Sequence, residues 1–522
     1  MLTDSRSLPS GSVVNADVCI IGAGAAGITL AQQFANTRVK VCLMESGGFD
    51  LDLHTQDLYR GKSVGWPYWP LEASRIRFFG GSTNHWGGAC IPLNRDDFET
   101  RDWVPNSGWP FSKSDLNPFY NRALSVFGLN RNSFDPYEWE AQGKRVLPLN
   151  SEAIVSNMHQ SCNNRRFGLT YKDELMGQEN LDTYTHANAV NLRANNPVQT
   201  VSKVEFATMG GNAFSVRAKF VILAMGGIEN SRLLLASTDD AEAGLGNQND
   251  LVGRYFSDHY YFSNVGRLVV ANPDVNLSMY TRKVEIDGQQ IGVHFELSSD
   301  ERKLQRLLTT RIHVGDTSWR AYARDHGRPR RSTDLSDKIV NRIDGILRKV
   351  RGVDGTPGNT AEDYGENKAS RLFSVGAWSE VIPRSDSRVL LNDEKDALGM
   401  RRITLDWRIG AAEKRSVINS LTFFGRQLGV SGVGRFRLDL DEESPWPWEG
   451  GGTPGMHHMG GTRMNNDPVK GVVDGHSKVH GLSNLYVAGS SVFPTFGTAN
   501  PTLTIVALAI RMGDHIKERL NA

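Results

Sequence analysis

The segment Gly22-Ala23-Gly24-Ala25-Ala26-Gly27 constrains this chain more than any other, because of what stands on either side of it. Asp17-Val18-Cys19-Ile20-Ile21 precedes it, a short apolar run that the glycines end, which predicts a fully buried parallel strand. Ala25 to Ala35 has helical character, and Val39 to Met44 predicts a second buried strand. Together they make one βαβ unit of about thirty residues. A G-x-G-x-x-G loop in that context points to a dinucleotide pyrophosphate. Gly22 permits the tight turn, Gly24 lets phosphate approach the backbone, and Gly27 lets helix and strand pack closely. Ala26 lies in the same turn, where unpaired N–H groups at the helix N-terminus favour an anion. Glu45 ends the second strand, where its carboxylate can accept from ribose hydroxyls and would repel a 2′-phosphate. The loop alone does not separate FAD from NAD.

Pieces of the same kind recur far along the chain. Lys219 to Met225 predicts a buried strand stopped by Gly226-Gly227, with a helix from Ile228 to Leu235. Leu485 to Ala488 predicts a late strand, and Pro501 to Leu520 a long closing helix. An α/β cofactor domain assembled from separated segments, with a second domain supplied between them, follows from that order. Residues 301–351 carry fourteen Lys/Arg against six Asp/Glu, with helical patterning around Asp337 to Val350 and a Gly/Asn/Asp-rich loop from Gly352 to Asn367. A solvated helix pair with a mobile loop is the plainer reading; a substrate lid or a docking surface for an acidic partner is the functional one.

A net charge of +1 argues against a dedicated nucleic-acid binder. Cys19, Cys42, Cys90 and Cys162 form no C-x-x-C pair and no metal spacing, so reduced thiols in a cytoplasmic protein are expected. The first sixteen residues lack the apolar core of a signal peptide, and no apolar run is long enough to span a bilayer.

Three further motifs carry chemistry. Gly80-Gly81-Ser82-Thr83-Asn84-His85-Trp86-Gly87-Gly88 offers small residues that let backbone approach a flat ring or a phosphate. Taken alone, His85 reads as a satisfied loop histidine. Met456-His457-His458-Met459-Gly460-Gly461-Thr462-Arg463-Met464 places two histidines before a glycine turn, and either could take the proton of an alcohol. No third and fourth ligands stand at zinc spacing, so no metal is expected. In Thr498-Ala499-Asn500-Pro501-Thr502-Leu503-Thr504, Asn500 reads as a helix N-cap with Pro501 at the first helical position.

These pieces, in this order, resemble the GMC (glucose–methanol–choline) flavin oxidoreductases, nearest to the pyranose-oxidase-like and bacterial sugar- or glycoside-oxidising members. GGSTNHWGG (80–88), LVGRYFSDH (251–259) and ANPTLT (499–504) carry the resemblance, which covers nearly the whole chain and is weakest from about 263 to 370. It implies a Rossmann-like FAD-binding domain (1–118, 198–262 and 452–522) interleaved with an α+β substrate-binding domain on an antiparallel sheet (119–197 and 263–451). It implies oxidation of a secondary hydroxyl of a sugar or glycoside to a ketone, with oxygen or a quinone-like acceptor. A non-sugar alcohol, a choline-like substrate or a non-redox lyase are the alternatives. His457 aligns without gaps to the family's base, with His458 its rival, and Asn500 matches the second member of the catalytic pair. His85 falls where some relatives carry a covalent histidyl–flavin bond. Ala189 falls where backbone holds the adenine, Gly489 where the late strand passes the ribityl chain, and Pro501 and Thr502 where a helix N-terminus faces the flavin. Glu380 belongs on a substrate-domain strand, where it either reaches the site or makes a structural salt bridge. Trp66, Tyr68, Trp69 and Trp86 are candidate sugar-stacking faces, although packing is their commoner use.

Overall fold

A computed structural model describes residues 1–149, 152–270, 272, 274–316, 372–446 and 452–521. Val18 to Ile21 and Val41 to Met44 are buried on both faces, and an eight-stranded sheet grows around them. Its order is Leu2–Asp4, Leu181–Thr185, Val41–Met44, Val13–Ile21, Ala213–Leu223, Val201–Ala207, Asn188–Ala194. The first five strands pair in parallel, and Leu485–Val487 adds a further parallel strand to Ala213–Leu223. Only the Val201–Ala207 and Asn188–Ala194 pairings are antiparallel. The Ala25–Gln33 helix crosses between the first two predicted strands, and the Thr502–Asn521 helix packs against it. The expected Rossmann-like unit is therefore present, with its strands drawn from both ends and the middle of the chain.

Among the described residues a second sheet has nine strands, antiparallel throughout. Its strands alternate with period two, so each presents one set of side chains to each face. Phe295, Ile312, Ala377 and Phe262 stand in register across four strands, and Phe295 meets Phe424 of the Ala411–Val430 helix at 5.2 Å between ring centroids. The residues between them put Arg311, Trp378 and Tyr261 in register on the opposite face. That face carries the polar groups of the site described below. A small third sheet joins Arg388–Lys395, Arg401–Trp407 and Lys62–Gly65.

The chain passes between the sheets more often than the expected boundaries allow. Leu181–Thr185 and Asn188–Ala194, placed with the substrate domain within 119–197, pair in the first sheet. Ala89–Cys90, placed with the FAD-binding segment 1–118, pairs with Ile154–Ser161 of the second, and Gly452–Pro454 joins the second sheet as well. A strand's partner is a long-range choice that its own alternation does not record. The basic stretch is also corrected where it is described. Ser299–Gln305 is helical and Thr310–Asp316 a strand, with Arg302 and Arg311 buried rather than solvated. The helix around 337–350 and the loop 352–367 lie outside the described residues. All four cysteines are buried and unbridged, and among the described residues no helix is long and apolar enough to cross a membrane.

Glu380 follows the Leu372–Ser379 strand and makes a structural ion pair. Arg101 donates to both of its oxygens, at 2.5 and 3.0 Å, and the Thr309 N–H adds a third hydrogen bond at 3.1 Å. Both partners are buried, so removing one strands a charge out of water. Glu380→Ala is expected to lower stability by about 3–5 kcal/mol in urea denaturation, and the double change with Arg101→Met to recover much of it.

Candidate active site

A cavity of about 400 Å³ opens where the glycine turn of the first sheet, the Gly80–Gly88 segment and the C-terminal motifs meet. Gly22 takes φ +105, and a Cβ there would lie 2.6 Å from the Ala224 carbonyl oxygen. At Gly27 a Cβ would lie 1.8 Å from the Gly22 carbonyl oxygen, so that glycine serves helix–strand packing and does not reach the cavity. Gly24 differs from both: it lines the cavity as Gly22 does, but a Cβ there would meet nothing within 4 Å. Gly489 and the unexpected Gly226 share that openness at φ +111 and +88. With Gly87, four backbone positions thus present bare main chain to one cleft.

Glu45 also lines the cavity, but part of its acceptor capacity is already used. Its Oε2 accepts from Ala23 N–H at 2.9 Å, and its Oε1 from Gly47 N–H at 2.8 Å and the Ser46 hydroxyl at 3.1 Å. It therefore braces the turn as well as facing the cleft. Ala26, Gly81, Ser82, Thr83, His85, Ala189, Pro501 and Thr502 line the same space. Gly80 does not; at φ +97 it turns the chain, and its N–H donates to the Ala23 carbonyl at 2.8 Å.

His457 and Asn500 stand at one end. Asn500 Nδ2 is 3.4 Å from His457 Nε2, and Asn500 Oδ1 accepts from Arg311 Nη1 at 3.2 Å. The expected role of Asn500 as a side-chain helix cap is thereby replaced: its amide is spent on His457 and Arg311. His457 Nδ1 is 2.8 Å from His259 Nδ1, and His259 Nε2 is 3.0 Å from the Gly497 carbonyl. The His457 main-chain N–H donates to Asp258 Oδ1 at 2.8 Å, while Asp258 Oδ2 accepts from Tyr68 at 2.5 Å. His458 also borders the cavity, but its ring packs against Tyr68 and Phe256, and its Nε2 has no hydrogen-bond partner among the described residues.

Burial, reinforced by the Arg311 charge, pushes His457 down to about 3, so its imidazole is neutral across the physiological range. Burial likewise holds His259 and His458 well below the usual histidine range. Arg311 is drawn down to about 10 by burial, against the opposing pull of Glu296. Asp258 is pushed up to about 7 by burial, although Tyr68 and the N–H groups of His457, His259 and Met456 favour its ionised form. Among the described residues, Asp258, His259 and His457 form a cluster that could be gathered on a metal ion. Their geometry instead fits a hydrogen bond: two nitrogens on one tetrahedral zinc stand about 3.3 Å apart, not 2.8 Å.

Of the four aromatic candidates only Trp86 lines the cavity, with its Nε1–H donated to the Arg165 carbonyl at 2.6 Å. Trp66 packs against Tyr260 and Trp446, and Trp69 donates to the Pro454 carbonyl. The sequence reading missed Arg311, Asp258 and His259 as site residues. The last two lie inside the quoted 251–259 motif; Arg311 lies in the stretch read as solvated. It also missed Arg75, Arg77 and Glu229, an ion cluster that lines the cleft and lies under Tyr59.

Residues 383–509 match the family model described as GMC oxidoreductase, a span that holds both His457 and Asn500. The chain carries a GMC oxidoreductase domain. Similar proteins include the paromamine 6'-oxidase of Streptomyces fradiae, 24% identical over 95% of this chain and 90% of that protein. The C-glycoside 3-oxidase of Microbacterium trichothecenolyticum is 23% identical over 85% of this chain and 76% of its own length. Among solved structures, a formate oxidase superposes with a TM-score of 0.55 at 17% identity, over 98% of this chain and 100% of that one. The GMC domain agrees with the flavin-oxidoreductase expectation, and the structural match agrees with the expected fold.

The Asp258 carboxyl gives a pH test. Its folded-state pKa lies above the unfolded value, so between about pH 4 and 7 the folded chain holds a proton that the unfolded chain has lost. That contribution, up to roughly 4 kcal/mol, is present below pH 4 and lost as the pH rises through 7. Urea denaturation from pH 4 to 7 should show wild type losing stability relative to Asp258→Asn as the pH rises.

Proposed function

We propose that the chain binds FAD in this cleft and oxidises a secondary hydroxyl of a sugar or glycoside to a ketone. The observation that carries the reading is the His457–Asn500 pair standing on the wall of a cleft whose other wall is a glycine-built dinucleotide cradle. The open space above Gly24, Gly226 and Gly489 fits a group that approaches main chain more closely than a side chain would permit. FAD, when bound, would supply the two-electron acceptor. Gly24 and the first turn of the Ala25–Gln33 helix would hold its pyrophosphate, Glu45 the ribose, Ala189 the adenine, and Gly489 the ribityl side. His85 lines the same cleft and would be the point of attachment for a covalently bound flavin.

The protein's own part begins with His457. Being neutral, it has a lone pair to take the substrate's hydroxyl proton. Asn500 Nδ2 would donate to the substrate oxygen as negative charge gathers on it, and the N-terminus of the Thr502–Asn521 helix would favour negative charge on the ring edge beside it. Relatives that act on sugars and glycosides support a carbohydrate: the C-glycoside 3-oxidase, the pyranose 2-oxidase of Tricholoma matsutake and the fructose dehydrogenase large subunit of Gluconobacter japonicus. They include oxidases and a dehydrogenase, so oxygen and a quinone-like acceptor are the two candidates for reoxidation.

Anaerobic titration of the flavin absorbance with free sugars, glycosides, polyols and choline tests this. Prompt bleaching by a sugar or glycoside, with a ketone product by mass and carbonyl trapping, is the expected result. Bleaching by none of them on fully loaded protein would overturn it. His457→Ala should keep the flavin and slow bleaching by about 10²–10⁴-fold.

A further inference from the structure

A neutral imidazole has one nitrogen able to accept a proton, and which one it is depends on the hydrogen bonds around the ring. Around His457, two groups of fixed sense settle the matter from opposite ends. The Gly497 carbonyl, 3.0 Å from His259 Nε2, can only accept, so His259 Nε2 bears the proton. Neutral His259 then has a bare Nδ1, and His457 Nδ1, 2.8 Å away, must be the donor. At the other end Arg311 can only donate, so the Asn500 atom facing it at 3.2 Å is the amide oxygen. The amide nitrogen then faces His457 Nε2 at 3.4 Å, and it too can only donate. Both ends leave the same atom, His457 Nε2, without a proton.

We propose that His259 and Arg311 are positioning residues that lock His457 in the Nδ1–H tautomer, through a one-way chain of hydrogen bonds running from Arg311 by way of Asn500, His457 and His259 to the Gly497 carbonyl. The inference rests on the reading of His457 as the base. In the step it serves, Asn500 Nδ2–H turns from His457 Nε2 to the substrate oxygen, the substrate's O–H bond breaks and an N–H bond forms at His457 Nε2; no other covalent bond changes in that transfer. The imidazolium so formed still donates its Nδ1–H to His259, which spreads the new charge away from the cleft. His259 and Arg311 are both buried, and the rings of His259 and His457 each lie against Trp378, at 5.6 and 5.3 Å between centroids. The His259 side of the contact between the two Nδ1 atoms is thus out of reach of water, and the chain keeps its sense. Burial holds both histidines neutral, which the proton count along the chain requires. Arg311 stands in register with Trp378 on the polar face of the second sheet, so that sheet's register delivers the donor to Asn500.

The test is direct. In FAD-loaded protein labelled with ¹⁵N-histidine, the His457 resonances, assigned by their loss in His457→Gln, should report a protonated Nδ1 and a bare Nε2. His259→Gln keeps an acceptor for Nδ1–H and should hold kcat within about tenfold of wild type. His259→Leu removes the acceptor and should lower kcat by about 10²-fold or more with KM changed little, because a fraction of His457 then carries its proton on Nε2. Arg311→Lys should preserve the tautomer and Arg311→Met should mix it. A protonated Nε2 in the wild type would overturn the proposal, as would His259→Leu with wild-type kcat. So would equal losses in His259→Gln and His259→Leu at equal flavin content. If the leucine variant does not load FAD, the wild-type spectrum decides alone. Failure of every sugar to bleach the flavin would remove the proposed function while leaving the tautomer measurement intact.

Discussion

The Ala213–Leu223 strand is the pairing on which the rest of the molecule depends. Along one edge it runs parallel to Val13–Ile21, from Ser215 with Val13 to Leu223 with Ile21. Its C-terminal end also takes Leu485–Val487 in parallel, and its N-terminal end takes Val201–Ala207 in antiparallel. Three segments separated by hundreds of residues are thus fixed by one ladder. The glycine turn leaves the end of Val13–Ile21, Gly226 leaves the end of Ala213–Leu223, and Gly489 follows the end of Leu485–Val487. The cleft lies beyond the carboxyl ends of adjacent parallel strands, where loops diverge and backbone is exposed.

The second sheet supplies what the first cannot. Its apolar face is closed by the Ala411–Val430 helix, and its other face brings Arg311 to Asn500 and Trp378 to His457. Buried polar groups of this kind carry a desolvation cost that only well-made hydrogen bonds offset. Glu296 is held by Thr498 and Asn157, at 2.7 and 2.8 Å, which keeps a carboxylate near the Arg311 charge. The same dry surroundings that press Arg311 and His457 away from their charged forms also strengthen each hydrogen bond between them. Loss of any one link therefore has consequences at both ends.

The glycine turn, the two strands beside it, the late strand and the closing helix were legible because each is a local pattern: an apolar run, a glycine punctuation, a helical stretch. Their ends moved by a few residues, as with Ala213–Leu223, which begins before the predicted Lys219. What misled were quantities that are not local. The 301–351 charge count is correct, yet it says nothing of which arginine a strand turns inward; the register of Thr310–Asp316 against Leu372–Ser379 buries Arg311. Asn500 before Pro501 has the composition of a cap, but a side chain with two stronger partners nearby leaves that duty. Leu181–Thr185 and Asn188–Ala194 alternate like strands of either sheet, and only their hydrogen-bond partners assign them.

The sequence by itself determined that a dinucleotide turn would form at Gly22 to Gly27. The reason is steric: one glycine must take a positive φ, another must leave room for a ligand, and a third must let helix and strand touch. The resemblance to the GMC oxidoreductases, and not the residues alone, put His457 and Asn500 forward as a pair. Tertiary structure alone decided that His259, Asp258 and Arg311 would surround them. Five residues spread from 258 to 500 meet through two sheets whose registers no single segment encodes, and the direction of a hydrogen-bond chain exists only once both of its ends are in place.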